Sequence, residues 1–197
     1  MIIAFLISLI ITVILHEAAH LIVAKKCGCG VIKYSIGFGK PILFSKKIGD
    51  TIYQLTPWIF LGGYCELKGE LNTTEDKDAF INLPYRKKLA IVVAGCVINI
   101  ITGIIASIVG LLINNTWVSF FGYLSILLGI TNLLPLAPCL DGGYIVYYPL
   151  SLKIWGIEKG TEIFNKAVKI SLIIVIALNI LSIPLLIPLI LSKGLTW

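Results

Sequence analysis

Residues 14–24 read ILHEAAHLIVA, and the rest of the chain is arranged around them. His16 and His20 are four apart, so on a helix they lie on one face, one turn above the other. That spacing offers two imidazoles to one zinc ion, with Glu17 beside them as candidate general base. Fifteen uncharged, mostly apolar residues (MIIAFLISLIITVIL) precede His16. At about 1.5 Å per residue they carry a helix roughly 22 Å into a hydrocarbon layer about 30 Å thick. The motif therefore falls inside a membrane span. Ser8, Thr12, His16 and His20 recur at every fourth position, a polar stripe that would face a bundle interior rather than lipid. Ionisable groups at such depth cost about 2.5–3.5 kcal/mol each on insertion scales, and they survive where function or pairing holds them.

Composition points the same way. Of 197 residues, 58% are hydrophobic and 13% charged, and the mean hydropathy is +0.98. These values exclude an ordinary soluble domain and indicate a polytopic helical membrane protein. The net charge of +6 sits in loops, where it serves membrane orientation, and no nucleic-acid partner is expected. The five cysteines form no secreted disulfide framework and read as free thiols of a reducing compartment. The opening apolar stretch lacks a basic leader and a small-residue cleavage site before His16, so it reads as a retained span.

The first span is expected over about residues 2–24, ending at Lys25-Lys26. A Gly-rich, basic segment comes next, with a β element over about 31–70. IGFGKP is expected as a turn or edge strand, and WIFLGGYCELKGE as strand, Gly-Gly kink and strand. LNTTEDKDAF is a solvated surface turn or helix start. From Leu89 to Leu140 there is a charge-free run of 52 residues, long enough for two antiparallel spans, about 89–113 and 117–136, with Asn114-Asn115 as the turn. A polar connection of about 141–168 precedes a fourth span, about 168–192. The loop after the first span holds 11 Lys and Arg, the connection before the fourth holds four, and the turn between spans two and three holds none. The positive-inside rule then places both large loops in the cytoplasm, both termini outside, and the histidine pair toward the cytoplasmic side of a multi-pass cell-membrane protein. The chain reads as one domain over 1–197: an all-α fold of four transmembrane helices with a small membrane-associated β element on the cytoplasmic side.

Two imidazoles do not complete a catalytic zinc site, which takes three protein ligands and leaves one position open. The candidate third ligand is Asp141, in NLLPLAPCLDGGY (132–144) at the end of the third span, at the depth of the histidines. Asn132, Pro135 and Pro138 would break that helix, and Gly142-Gly143 would let backbone approach closely. Broken helix at membrane depth is tolerated where it lines protein or a water-filled cavity. The competing role for Asp141 is to end one span and cap the segment after it.

Together these motifs resemble the site-2 protease family of intramembrane zinc metalloproteases, in its bacterial branch that cleaves anti-sigma factors and remnant signal peptides. The resemblance is carried by HEAAH with its basic pair, SIGFGKP (35–41), LGGY then GE (61–64, 69–70), AF then PYRK (79–87), AGCVIN (94–99) and NLLP…LDGG, in family order. It implies that His16, His20 and Asp141 hold Zn2+, that Glu17 activates water, and that Asn132 and Pro135 line the substrate cleft. It implies the same for Gly62, Gly63 and Tyr64, in a membrane-reentrant β element whose edge, Gly62 to Leu67, would hold an unwound substrate extended. Gly95 and Asn99 match the family motif of the second span, where packing serves as well as function. Three departures stand out. Asp141 lies nine residues after Asn132 where the family pattern has eight, Cys96 stands where the family has proline after Ala-Gly, and the PDZ and CBS domains of relatives are missing. The implied function is intramembrane endoproteolysis of a transmembrane protein or peptide within the bilayer, in regulated intramembrane proteolysis or clearance of remnant signal peptides. An accessory membrane partner would supply the size exclusion that a PDZ domain otherwise gives. The alternative is a non-hydrolytic metal-binding membrane protein, either a transporter or a pseudoprotease partner. An intact Glu17 argues against the pseudoenzyme, and the scarcity of polar groups in spans two and four argues against a transport path.

Overall fold

The computed structural model describes the backbone of residues 2–70 and 74–193, with side chains over the same ranges apart from positions 2, 60, 175, 176 and 178–193. The opening apolar run and the histidine motif form one helix, α1 (Ile2–Lys26). Then come strands β1 (Val31–Phe38), β2 (Phe44–Ile48), β3 (Thr51–Leu55) and β4 (Trp58–Leu67), a single 3-10 turn at Phe80–Asn82, and helices α2 (Tyr85–Leu112), α3 (Thr116–Leu133), α4 (Asp141–Trp155) and α5 (Ile157–Lys193). The protein is mostly helical with one small sheet.

Among the described residues, three helices are long and apolar enough to cross a membrane: α1 over Ile3–Lys26, α2 and α3. The polar stripe of α1 turns inward. Ser8, Thr12, His16 and His20 are all buried, whereas Ile3, Ile7, Ile11, Ile14 and Ile22 are exposed. Thr12 bonds Ser125 of α3 across 2.9 Å, satisfying both hydroxyls where no water would. Helices α2 and α3 pack closely because their facing positions are small: a Cβ on Gly103 would lie 2.7 Å from the Gly122 carbonyl oxygen. Asn114 and Asn115 make the turn between them. Asn114 takes a φ of 51°, and the Asn115 side chain caps α3 by accepting from the amides of Trp117 and Val118.

The sheet has the order β2-β3-β1-β4, with β1 parallel to β3 and antiparallel to β4. The IGFGKP segment therefore belongs in its first part to an inner strand and not to an edge, because Ser35 and Ile36 of β1 are buried between two neighbours. Nor does the Gly62-Gly63 pair divide two strands. β4 runs through it, and the irregularity is a register shift opposite Ile36–Phe38, with Gly62 at a φ of +121° that a side chain would strain. Residues 71–73 of the LNTT segment lie outside the described residues; beyond them, Lys68 pairs with Asp76 and Asp78.

The expected polar connection of 141–168 is helical instead: α4 fills Asp141–Trp155 and α5 starts at Ile157, with Gly156 at a positive φ between them. The last residues given to the third span, 134–136, belong to a turn after α3 ends at Leu133. The fourth expected span, 168–192, falls within α5, where most side chains lie outside the described residues. A core joins the basic end of α1, the sheet and the start of α2. Ala24, Cys29, Val31, Leu67, Phe80, Leu83 and Ile91 are buried together, with Tyr144 of α4 packed against them. That core fixes the sheet and α4 beside the histidine turn.

Candidate active site

His16 and His20 face α2 from one side of α1, their rings edge-on with centroids 4.8 Å apart. The Nδ1–H of His20 donates to the Ile91 carbonyl oxygen at 2.8 Å, which leaves Nε2 as the ring's acceptor. That Nε2 lies 3.2 Å from Nε2 of His16 and 3.4 Å from Oδ2 of Asp141, and His16 Nε2 lies 3.2 Å from the same oxygen. Three groups from two distant parts of the chain thus aim one lone-pair atom each at a common point. Such a triangle is stable only with a proton or a cation inside it. The edge of a zinc tetrahedron with ligand distances of about 2.0–2.1 Å is about 3.3–3.4 Å, so the triangle matches zinc in size. The donor set, two imidazoles and a carboxylate, is one that zinc takes. His16 and His20 are buried, but the Asp141 side chain keeps 21% of its surface accessible, which leaves an approach for a fourth ligand.

Asp141 arrives there because of the residues around it. It is the first residue of α4, and the cap position before it, Leu140, makes no side-chain bond to the helix. Its carboxylate serves the histidines rather than the helix end. The two glycines after it let α4 start hard against the preceding turn: a Cβ on Gly142 would lie 2.7 Å from the Leu134 carbonyl carbon, and one on Gly143 would lie 3.0 Å from Pro138 Cα. Turns over 134–140 separate the end of α3 from Asp141.

Glu17 lies next to the second element. A Cβ on Gly63 of β4 would come 2.9 Å from Glu17 Cγ and 2.7 Å from the Ser35 carbonyl oxygen, so only glycine lets the strand pass this close. β4 pairs with β1 on one side; among the described residues, no strand pairs with its other edge. Tyr64 stacks on Phe38 at 5.6 Å, which braces the strand beside the glycines. Asn132 sits half-buried in the last turn of α3. Pro135 is exposed in the turn beyond, where its carbonyl accepts from the Tyr147 hydroxyl at 2.8 Å. No contact of either with the triangle of His16, His20 and Asp141 is seen among the described residues.

Burial governs the titrating groups around the sheet. It pushes the Glu70 carboxyl up to about 7, and the bond from the Leu67 amide to Oε2 (3.1 Å) only partly offsets that. It also pushes the Cys29 thiol up to about 12 and Cys65 higher still, with Glu17 adding to the rise at Cys65. All five cysteines are free, and protonated buried thiols of this kind are poor nucleophiles.

Helix α2 makes three contacts with this group, at the motif positions Gly95 and Asn99 and at Cys96, whose partners sequence reasoning did not name. A Cβ on Gly95 would lie 2.6 Å from both Cε1 and Nδ1 of His16, so the glycine is what admits the histidine pair. The Cys96 thiol lies 3.2 Å from Asp141 Oδ2, and the Asn99 amide lies 3.1 Å from His16 Nδ1. An asparagine in a charge-free apolar run was the available signal, and the structure buries it fully.

Comparison with known proteins gives the same outline. The family model described as Peptidase family M50 matches residues 4–116, more than half of the chain, ending before Asp141. A Neisseria meningitidis protein named "Putative zinc metalloprotease" is 42% identical over 104 residues, 49% of this chain and 22% of that protein. One of the same name from Borreliella burgdorferi is 36% identical over 123 residues, 57% of this chain and 27% of that protein. Zinc metalloprotease Rip1 of Mycobacterium tuberculosis is 35% identical over 99 residues, 48% of this chain and 24% of that protein. The matched segments amount to about a quarter of the length of these relatives.

Proposed function

The chain belongs to peptidase family M50, and from that premise we propose that it is an intramembrane zinc endopeptidase hydrolysing a peptide bond in or near a transmembrane segment of its substrate. The observation that carries the proposal is the convergence of His16 Nε2 and His20 Nε2, on the helix that also carries Glu17, with Asp141 Oδ2 at the start of α4, all within 3.2–3.4 Å of one another. These three residues would hold zinc. When bound, zinc polarises the scissile carbonyl and lowers the pKa of its water to about 7.

The chain's own residues supply the rest. Glu17 takes a proton from the attacking water as the new C–O bond forms at the scissile carbonyl carbon. It then returns that proton to the amide nitrogen as the C–N bond breaks, so the products are a carboxylic acid and an amine, and the acid's proton then passes to the amine or to solvent. A helical substrate shields its peptide bonds, so it must unwind before attack. The edge of β4 left unpaired among the described residues is the surface on which an unwound segment could pair through its backbone, with Gly63 against Glu17 and Gly62 and Tyr64 on either side of it. Asn132 and Pro135 would flank the other side of the cleft, from the end of α3.

The membrane reading completes the proposal. α5 supplies a fourth span beside α1, α2 and α3. The sheet, the Lys25-Lys26 pair and Arg86-Lys87-Lys88 face the cytoplasm, and both termini lie outside. Lys25 bonds the Tyr53 hydroxyl and Lys87 the Cys27 carbonyl, so both basic clusters sit at the sheet's end of the bundle. Substrates would be single transmembrane segments, as in regulated intramembrane proteolysis or removal of remnant signal peptides.

The test is cleavage of a helical membrane peptide by purified protein in detergent, with and without a zinc chelator and with Glu17→Gln. Loss of cleavage under both treatments supports the reading. Cleavage that survives Glu17→Gln overturns the assigned mechanism.

A further inference from the structure

Helix α2 meets each of the three candidate ligands, and it does so with one face. Ile91, Gly95, Cys96 and Asn99 are four, five and eight residues apart from the first, one stripe on a helix, and all four are buried. The Ile91 carbonyl holds His20 Nδ1, Gly95 leaves room for both rings, the Cys96 thiol lies 3.2 Å from Asp141 Oδ2, and the Asn99 amide lies 3.1 Å from His16 Nδ1.

The contact at Asn99 has a chemical consequence. A histidine that ligates through Nε2 carries its proton on Nδ1, so Nδ1 needs an acceptor. The end of the Asn99 amide facing His16 is Nδ2, a donor, while Oδ1 is buried without a partner among the described residues. The two ends of a carboxamide fill the same space, and a half-turn about its last torsion exchanges them. After that exchange Oδ1 accepts from His16 Nδ1–H, and the orphaned oxygen is satisfied in the same step. At Cys96 the polarity is already correct, since a protonated thiol donates and a carboxylate accepts. Thr102, one turn along, spends its hydroxyl on the Ile98 and Asn99 carbonyls and does not compete for the ring.

We propose that Asn99 and Cys96 are positioning residues of the metal centre: Asn99 accepts the Nδ1 proton of His16 through Oδ1 and so fixes the tautomer that ligates, and Cys96 donates its S–H to Asp141 and holds the carboxylate toward the histidines. The proposal rests on reading His16, His20 and Asp141 as the zinc shell. Neither residue touches the reacting atoms. Both act by orienting the groups that would hold the ion, and loss of such outer contacts typically weakens metal affinity about 10–100-fold.

The test measures zinc affinity by competition with a chromophoric chelator, and the visible spectrum of the Co2+-loaded form, on the full chain in detergent micelles. Asn99→Leu, which keeps the volume and removes the acceptor, is expected to weaken zinc binding by about 10–100-fold and to alter the cobalt spectrum. Asn99→Asp, which keeps an acceptor oxygen, is expected to stay within about threefold of wild type. Cys96→Ala is expected to weaken binding by about 10-fold, and Cys96→Ser to restore most of it. A merely structural role would not separate Leu from Asp or Ala from Ser. Equal affinities within either pair overturn that residue's role, whether or not the more drastic variant folds poorly. His16→Ala distinguishes the two levels. If wild type binds zinc and His16→Ala does not, the shell reading stands and the outer contacts are judged alone. If His16→Ala binds as well as wild type, the shell itself is wrong.

Discussion

Replacing Gly95 with alanine tests the packing that brings the histidines to their places. In an exposed helix the change would be favourable by about 1 kcal/mol, because alanine has the better helix propensity. Here the new Cβ would lie 2.6 Å from His16 Nδ1 and Cε1, about 0.8 Å short of the 3.4 Å at which ordinary contact begins, and nearer still to His20 Nε2. Backbone on both sides is held by helix–helix packing, so the rings must give way. A shift of about 0.8 Å exceeds the roughly 0.5 Å within which a catalytic constellation must be held, and misplacement of about 1 Å can cost on the order of 100-fold in rate. Gly95→Ala should therefore fold, bind zinc at least about 10-fold more weakly, and cleave a membrane peptide on the order of 100-fold more slowly. Chelator competition, a steady-state cleavage assay and a thermal unfolding scan in the same detergent measure the three quantities. Wild-type zinc affinity and wild-type cleavage in the alanine variant would refute the placement of α2 against the histidines.

Three further outcomes are expected. Glu17→Gln should retain zinc but lose about 100- to 10,000-fold in cleavage, read by metal content and peptide turnover on the same sample. Thr12→Val removes the bond to Ser125 and should destabilise the bundle by about 0.6 kcal/mol, with about 1.7 kcal/mol as the upper end for such bonds, seen as a lower midpoint in detergent unfolding. Glu70, raised from 4.5 to about 7 chiefly by burial, holds its proton in the folded state while the unfolded chain has already lost it. Its contribution is thus full below about 4.5 and is lost as pH rises through about 7, so stability should fall across that window and Glu70→Gln should flatten the slope.

The parts of the fold set by residue spacing were open to sequence reasoning. Ser8, Thr12, His16 and His20 recur at helical period in an apolar run, so burying that stripe against other helices needs no further information. That Asp141 comes beside the histidines was legible because helix-breaking prolines and glycines at membrane depth are tolerated where they are buried in protein or line a cavity. Asn114-Asn115 was legible because a charge-free run of that length must turn. What depended on tertiary registration was not. β1 became an inner strand because β3 pairs with it in parallel, a crossover that alternation along the strand does not encode. α4 formed in a segment that composition marks as a connection, since its glycines serve close packing rather than flexibility. Cys96 and Asn99 reached Asp141 and His16 because of the angle at which α2 turns toward α1, and no residue pattern within α2 sets that angle against a partner distant in sequence.

The central claim is a single coordination shell drawn from the first helix and the start of α4. X-ray absorption at the zinc edge of the purified full chain tests it most directly. Two imidazole nitrogens at about 2.0–2.1 Å and light oxygen scatterers at about 2.0–2.2 Å are expected, with one oxygen lost in Asp141→Ala. A sulfur scatterer at about 2.3 Å, or a spectrum that Asp141→Ala leaves unchanged, would contradict the account.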